Sequence, residues 1–343
     1  YSDKDETAVC NLASISLPSC LENRDLSQLS LTIYTKEGCN YCKYSKLLCN
    51  SLNIKYSVKD KSEYTLIVDD LHGITFPQIY NNMNEHIGGY TELVEYTKPS
   101  FNYNKLKNLS KILTYNLNKI IDYNFYPIPE TELSNMRHRP IGLGVQGLAN
   151  VFYEMKTEFG SELSRELNDK IFQSIYYGSL EASMELARDR ESEMKVFKTE
   201  MEKSGFVSEN ILNDINKRLK PIDRELERDE YLGTYSSYIG SPMYNGKLQF
   251  DLWGIEVSNE LFDWNYLRGE INKYGVRNSL LVAPMPTAST SQILGNYECI
   301  EPVISNIYTR RVLAGEFMVI NEYLVRDLML LDKWNETIKN KII

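Results

Sequence analysis

Cys39-Asn40-Tyr41-Cys42 is the most chemically suggestive pattern in this sequence. Two thiols at that spacing either exchange with disulfides or supply half of a zinc site. A structural zinc ion takes about four ligands, and no second CxxC or CxxH completes the set. Redox chemistry is the better reading. Between a strand and a helix, the first sulfur of a CxxC falls at the helix N-terminus, where unpaired N–H groups and the macrodipole favour thiolate over thiol. Cys39 is therefore the expected nucleophile, with Lys36 close by in sequence, and Cys42 the resolving thiol one turn on. Six cysteines in 343 residues are too few for a secreted disulfide scaffold. Cys49 lies in the same helical pattern and reads as a small buried hydrophobe.

A second chemical candidate is Pro284-Met285-Pro286-Thr287-Ala288-Ser289-Thr290-Ser291. It follows an apolar strand, 279–283, and precedes the helical Gln292-Ile293-Leu294. Hydroxyls and free backbone N–H groups at a strand-to-helix turn suit a phosphate without requiring lysine, although a Ser/Thr helix cap is the commoner meaning of such residues. Gly142-Leu143-Gly144-Val145-Gln146-Gly147 matches GxGxxG, but Arg137-His138-Arg139-Pro140 stands where a dinucleotide fingerprint needs an apolar strand. Those glycines are expected to allow close backbone packing, not to hold a nucleotide. His72, His86 and His138 are isolated from one another, and packing or polar-surface roles are expected for them over metal ligation.

The elements that must position these residues fall into three stretches. Residues 1–28 alternate polar and apolar. Residues 29–98 read as a strand–helix–strand unit with a terminal hairpin: Leu31 to Tyr34, a helix from Tyr44 to Leu52, Ile54 to Val58, then Phe76 to Tyr80 with a turn at Asn81-Asn82. Pro77 at a strand start is expected to be cis, leaving neighbouring backbone groups open to a peptide-like ligand. Residues 99–343 are mainly helical. Leu106, Leu109, Leu113, Leu117 and Ile120 form one predicted apolar stripe, and a long helix is predicted from Leu163 towards Met201. Residues 190–235 are densely charged and read as a solvated helical hairpin. Short strands are expected after Gly240, with a helix near Asp263–Tyr274.

Lys+Arg is 38 and Asp+Glu is 47, a net charge of −9, which disfavours direct nucleic-acid binding. No apolar run approaches the ~20 residues that cross a bilayer, and the acidic N-terminus is not a signal peptide. The first residue is not methionine, which suggests a processed chain or a piece of a longer one.

Gly38-Cys39-Asn40-Tyr41-Cys42, Phe76-Pro77-Gln78-Ile79 and Ile87-Gly88-Gly89-Tyr90-Thr91 together resemble a glutaredoxin. The resemblance implies a thioredoxin-like α/β domain, with glutathione as reductant held near Lys36, Tyr41, Thr75, Pro77, Gly89 and Tyr90. Phe76 departs from the smaller residue usual before that proline.

Outside this unit, Ala8-Val9-Cys10-Asn11-Leu12-Ala13-Ser14, Arg137 to Gly142, Ala283 to Thr290, Ile293 to Asn296 and Ser305 to Arg311 resemble the large subunit of class I ribonucleoside-diphosphate reductase, of eukaryotic or viral type. This implies part of a ten-stranded α/β barrel, carrying the glutaredoxin-like unit as an insertion. It also implies reduction of ribonucleoside diphosphates, with Cys10 as one of two cysteines oxidised to a disulfide on each turnover. Pro286, Thr287, Ala288, Ser289 and Thr290 would hold the substrate diphosphate. Further implied are a metal-containing, radical-generating small subunit, a homo-oligomer, a cytoplasmic location and no metal in this chain. Cys20 and Cys299 match no catalytic position. The family's Asn-x-Cys-x-Glu signature, with its radical cysteine, falls upstream of the stretch matching Tyr1–Glu6. Thiol exchange without ribonucleotide reduction is therefore expected of this chain alone. The alternative is a glutaredoxin-type oxidoreductase on an inactive reductase scaffold.

Overall fold

Local chemistry starts and stops the helices largely where the sequence places them. Asn102 accepts the Lys105 N–H through its side chain, Asp263 accepts that of Tyr266, and Asn321 that of Leu324. Each satisfies an otherwise orphaned donor of a helix first turn. In the computed structural model, the structure describes residues 2, 4–65, 73–204 and 227–342. Along the chain these form β1 (Asn11–Ser16), a 3-10 turn, β2 (Leu21–Glu22), β3 (Ser30–Thr35), α1 (Asn40–Ser51), β4 (Lys55–Asp60), α2 (Lys61–Tyr64), β5 (Gln78–Asn81), β6 (His86–Gly88), α3 (Tyr90–Thr97) and β7 (Ser100–Phe101). There follow α4 (Tyr103–Tyr123), α5 (Pro129–His138), β8 (Ile141–Gln146), α6 (Leu148–Glu154), α7 (Glu162–Ser204), α8 (Gln249–Leu252), α9 (Trp264–Tyr274), α10 (Thr290–Ile293), β9 (Ile307–Val312), β10 (Gly315–Ile320), α11 (Glu322–Leu330) and α12 (Glu336–Ile342).

Two compact units share these elements. The first comprises Tyr1–Cys20, Asn102–Leu148 and Arg165–Ile300; the second comprises Leu21–Phe101, Ala149–Ser164 and Glu301–Ile343. The unit that holds the CxxC therefore extends well beyond residues 29–98.

In the first unit β1 and β8 run parallel, from Asn11 opposite Ile141 to Ser16 opposite Gln146. Residues 280–283 lie along the other side of β8, through a parallel bridge from Leu143 to Val282. Ile15, Ile141, Leu143 and Val145 are buried on the face that alternates with Leu12, Ser14 and Ser16. The GxGxxG stretch thus lies between β1 and an extended segment joined to it by a single bridge, so the strand expected at 279–283 is not formed as such, and two of the glycines face that segment. A Cβ on Gly144 would stand 3.1 Å from the Ala283 carbonyl oxygen and from Met285 N.

The structure departs from expectation at the α4 stripe and after Gly240. The buried stripe of α4 is Leu106, Ser110, Thr114, Leu117, Asn118 and Ile121, while Ile120 is 45% exposed. Asn118 enters because the buried Arg139 guanidinium packs there, donating to Asn118 Oδ1 and Asn118 O at 2.9 Å each and to both Asp122 oxygens at 2.8 and 2.9 Å, whereas the Ser110 and Thr114 hydroxyls donate to the carbonyls of Leu106 and Ser110 four residues back, at 2.9 Å each. No strand occurs among residues 241–262; turns and the short α8 stand there. Of the charged stretch 190–235, residues to Ser204 continue α7 and residues 227–235 form turns, whereas 205–226 lie outside the described residues. His72 lies outside them too.

In the second unit a four-stranded sheet has the order β4-β3-β5-β6. β3 and β4 are parallel, joined through α1; β3–β5 and β5–β6 are antiparallel. Leu31, Ile33, Leu48, Cys49, Ile54, Ile79 and Leu93 form its core, so Cys49 is a buried hydrophobe. Burial pushes that thiol up to about 11.

Candidate functional site

Two groups of chemically active residues emerge, one in each unit. In the first unit Cys10 immediately precedes β1, exposed, and its Sγ donates to Asn11 O at 3.7 Å. Although the residue is open to solvent, the protein around it raises the thiol's pKa through desolvation. Near neutral pH Cys10 is held as a thiol, not as a thiolate. Gly142 locates it: a Cβ there would stand 3.6 Å from Cys10 Sγ, 3.0 Å from Ala283 Cβ and 2.5 Å from Leu12 Cδ2. The glycine thus lets Leu12, Ala283 and the Cys10 sulfur pack closely against β8, which brings Cys10 near the residue that leads into the hydroxyl-rich loop.

Within that loop the hydroxyls have different surroundings. Pro286, Ala288, Ser289 and Thr290 are exposed, whereas Thr287 is buried with φ 52°. Its Oγ1 accepts the Cys299 backbone N–H at 2.8 Å, and its carbonyl accepts the Ser291 N–H at 3.0 Å. Thr287 is therefore turned into the protein as the anchor of the loop. Ser291 Oγ is fully buried without a hydrogen-bond partner. Asn296 bonds Ser16 Oγ at 2.9 Å and Gln146 Oε1 at 3.2 Å, and Gln146 Nε2 bonds Ser14 Oγ at 2.8 Å. This polar seam ties the loop's far end to β1 and β8. Isolated Asn, Gln and Ser residues carry no spacing signal by which it could have been found.

A buried ion cluster precedes Cys10 and is not legible in the sequence, since Glu6 lies more than 130 positions from Arg137 and His138. Glu6 takes Arg137 at 2.5 Å and His138 Nε2 at 2.8 Å, while His138 Nδ1 faces Ser237 Oγ at 3.0 Å. Burial works against the Glu6 carboxylate, but hydrogen bonds from Arg137 and His138 hold its pKa below the usual range. Burial also lowers the pKa of His138, in spite of Glu6. The neutral imidazole therefore donates from Nε2 to Glu6 and accepts at Nδ1 from Ser237, an assignment that rests on the bonding pattern. Both shifts have the same consequence in acid. The unfolded chain takes up a proton at His138 first, so this contribution to stability declines as pH falls below about 6.5. That of Glu6 is lost lower, as pH falls through its depressed pKa. The melting temperature is expected to fall between pH 7 and 5, and more gently in His138→Gln. Identical slopes in the two proteins would contradict this assignment.

In the second unit Cys39 caps α1. Its Sγ accepts the Cys42 N–H at 3.2 Å and donates to Phe76 O at 3.3 Å. The Phe76–Pro77 peptide is cis, as the sequence suggests, and the Phe76 ring stands edge-on to Tyr64 with centroids 5.8 Å apart. Cys42 is 2% exposed; burial, aided by the Cys39 sulfur, pushes it up to about 11. The accessible sulfur is thus Cys39 and the protected one Cys42, the order expected of a nucleophile and its resolving partner.

Around Cys39 the structure collects most of the residues singled out for a reductant. Pro77 and Thr75 flank Phe76 in sequence, and a Cβ on Gly89 would lie 3.6 Å from Pro77 O. Tyr41 and Tyr90 approach to 6.1 Å, both within about 6 Å of Tyr44. Lys36 is exposed, and its backbone hydrogen-bonds the Cys42 sulfur. Glu92, not anticipated, places its carboxylate 2.8 Å from the Gly89 N–H, covering the start of α3. His86 is exposed and bonds Gln78 Oε1 at 2.6 Å. Among the described residues no group of three or more His, Cys, Asp or Glu is placed to hold a metal ion, and no helix is long and apolar enough to cross a membrane.

Residues 74–343 match the ribonucleotide reductase barrel domain. The chain belongs to the ribonucleotide reductase large-subunit family. It is 43% identical over 273 residues to the ribonucleoside-diphosphate reductase large chain of Schizosaccharomyces pombe, covering 74% of this chain and 28% of that one. The large subunit of Variola virus is 48% identical over 243 residues, with 71% and 26% covered. That of Acanthamoeba polyphaga mimivirus is 43% identical over 280 residues, with 81% and 25% covered. The chain spans about a quarter of the length of these ribonucleotide reductase relatives. The barrel match begins at residue 74, so Cys39 and Cys42 fall outside it, whereas the strand β8 and the loop from Ala283 to Thr290 fall within it.

Proposed function

We propose that the protein carrying this segment reduces ribonucleoside diphosphates to 2′-deoxyribonucleoside diphosphates, and that its CxxC returns electrons from glutathione in cis. The observation that carries the first half is that Cys10 and Ala283, the residue leading into the hydroxyl-rich loop, both pack against Gly142. A diphosphate held by backbone N–H groups and hydroxyls of Ser289 and Thr290, with Pro286 and Ala288 shaping the turn, would bring its ribose towards the Cys10 sulfur. Thr287 holds the loop's shape from below. Cys10 and a second thiol supply two electrons and two protons: the 2′-hydroxyl leaves as water and a disulfide forms. A small subunit would generate the initiating radical.

The second half rests on the Cys39–Cys42 arrangement. A strand–helix–strand unit with a cis-proline beside an N-capping cysteine supports a glutaredoxin-type reading, as does the rim formed by Tyr41, Thr75, Pro77, Gly89, Tyr90 and Lys36. Cys39 attacks the Cys10 disulfide, or a disulfide of a tail segment that has itself exchanged with it, as thiolate, one S–S bond forming as the other breaks. Cys42 then closes on Cys39, releasing the second thiol. Two glutathione molecules reduce the Cys39–Cys42 disulfide and leave as glutathione disulfide. A covalently attached reductant can act at an effective concentration on the order of millimolar. The reading places the protein in the cytoplasm, where such thiols stay reduced.

A turnover assay on the whole protein with its small subunit tests the first half. Cys10→Ser is expected to abolish steady-state deoxynucleotide formation with any reductant, dithiothreitol included. Sustained turnover by that variant would overturn the assignment of Cys10.

A further inference from the structure

Helix α11 joins two other segments of the second unit, using different residues for each. Along its body Arg326 pairs with Glu154 at 2.9 and 3.3 Å, and the next residue, Asp327, takes Lys156 at 2.7 and 2.8 Å. Tyr323 stacks on Tyr153 with ring centroids 5.1 Å apart, and its hydroxyl accepts the Asn150 amide at 2.9 Å. At the other end Leu330 packs on the core of the CxxC sheet. Beyond it Asp332 takes Lys43 at 2.8 Å, and Lys333 stands 5.8 Å over the Tyr44 ring. Lys43 and Tyr44 directly follow Cys42 in the first turn of α1.

We propose that α11 is a docking strut, clamping the CxxC segment to the α6 segment of its own chain so that Cys39 works from a fixed position and not as a freely swinging arm. This deepens the cis-reductant reading above and rests on it for its purpose, though not for its geometry. The charge pattern specifies one register. Sliding α11 so that Arg326 met Lys156, or Asp327 met Glu154, would oppose like charges, and such repulsion excludes the wrong alignment. Exposed ion pairs are individually weak. Within one chain, however, they close at an effective concentration on the order of millimolar, and Leu330 adds an apolar anchor. The salt bridge between Lys43 and Asp332 lowers the aspartate's pKa and raises the lysine's, so the contact next to the CxxC stays charged across the neutral range.

Backbone relaxation NMR on the reduced 343-residue chain tests the strut. In the wild type the amides of 30–60 and 78–97 are expected to share the rotational correlation time of residues 149–156. In Arg326→Glu/Asp327→Lys the two sets separate, the CxxC amides tumbling at least about twofold faster. Adding Glu154→Arg and Lys156→Glu is expected to restore common tumbling, which a variant damaged in folding would not do. Leu330→Ser should release the same amides from the other end. Separate tumbling in the wild type, or common tumbling in every variant, overturns the proposal. Exchange of Cys39 with the mixed disulfide of glutathione and 2-mercaptoethanol is measured in parallel and should stay within about twofold throughout. Its absence from the wild type would count against the glutathione reading, leaving the strut to be judged by tumbling alone.

Discussion

Cys39→Ser is expected to lower exchange of this chain with glutathione mixed disulfides by roughly 10³-fold or more, the scale of losing a nucleophile, while Cys42→Ser retains a substantial part of it. The asymmetry follows from position. Cys39 is part-exposed at the start of α1, where its sulfur accepts the Cys42 N–H at 3.2 Å. Cys42 is buried and pushed up to about 11, so it is almost wholly protonated near neutral pH and cannot begin an attack. Its role comes after the first bond has formed, and free glutathione can substitute for it by attacking the mixed disulfide from solution. In the whole protein, Cys39→Ser should remove turnover when glutathione is the sole electron source and leave it intact with dithiothreitol. Equal turnover of variant and wild type on glutathione alone would refute the cis pathway. Equal losses for the two cysteine variants in the exchange assay would refute the division of labour.

Arg139→Ala is expected to destabilise the first unit by about 3–5 kcal/mol, the cost of removing one partner from a buried charged network. Arg139 is 2% exposed and satisfies Asn118 twice and Asp122 twice. The same network continues through Asn278, which donates to the Arg139 carbonyl at 2.9 Å and accepts from Ser183 at 2.9 Å. Four segments distant in sequence meet there: α4, the end of α5, α7 and the start of the extended segment at 279. Arg139→Lys should recover only part of the loss, because an ammonium cannot reproduce the planar fork that reaches both Asp122 oxygens and Asn118. Chemical denaturation followed by circular dichroism measures both variants. A cost below about 1 kcal/mol for the alanine variant would mean that water replaces the guanidinium freely.

Much of the fold could be read locally. The strand–helix–strand run around the CxxC, the cis proline and α9 stand where period and capping residues place them, and α7 begins and ends close to expectation. Legibility failed where a distant partner redefines a face. The α4 stripe includes Asn118 because a buried arginine 21 positions later needs a polar neighbour, and it includes Ser110 and Thr114 because their hydroxyls are satisfied by the helix's own carbonyls. The GxGxxG run does allow close backbone packing, as its glycines suggested, but only the tertiary fold decides that the chain it meets is the one at 283–285. Thr287 reads as a phosphate ligand in sequence, and only the fold shows that it is buried with its Oγ1 accepting a backbone N–H twelve residues away.

By itself, then, the amino-acid order determined which atoms could carry electrons and which loop could meet an anion. Thiol spacing, hydroxyl clustering and helix capping act over a few residues and survive in a linear reading. Tertiary structure alone decided which thiol is shielded, that Cys10 and Ala283 both pack against Gly142, and that Glu6 is neutralised by Arg137 and His138. Those outcomes depend on desolvation and on contacts more than a hundred positions apart, which only the packed chain creates.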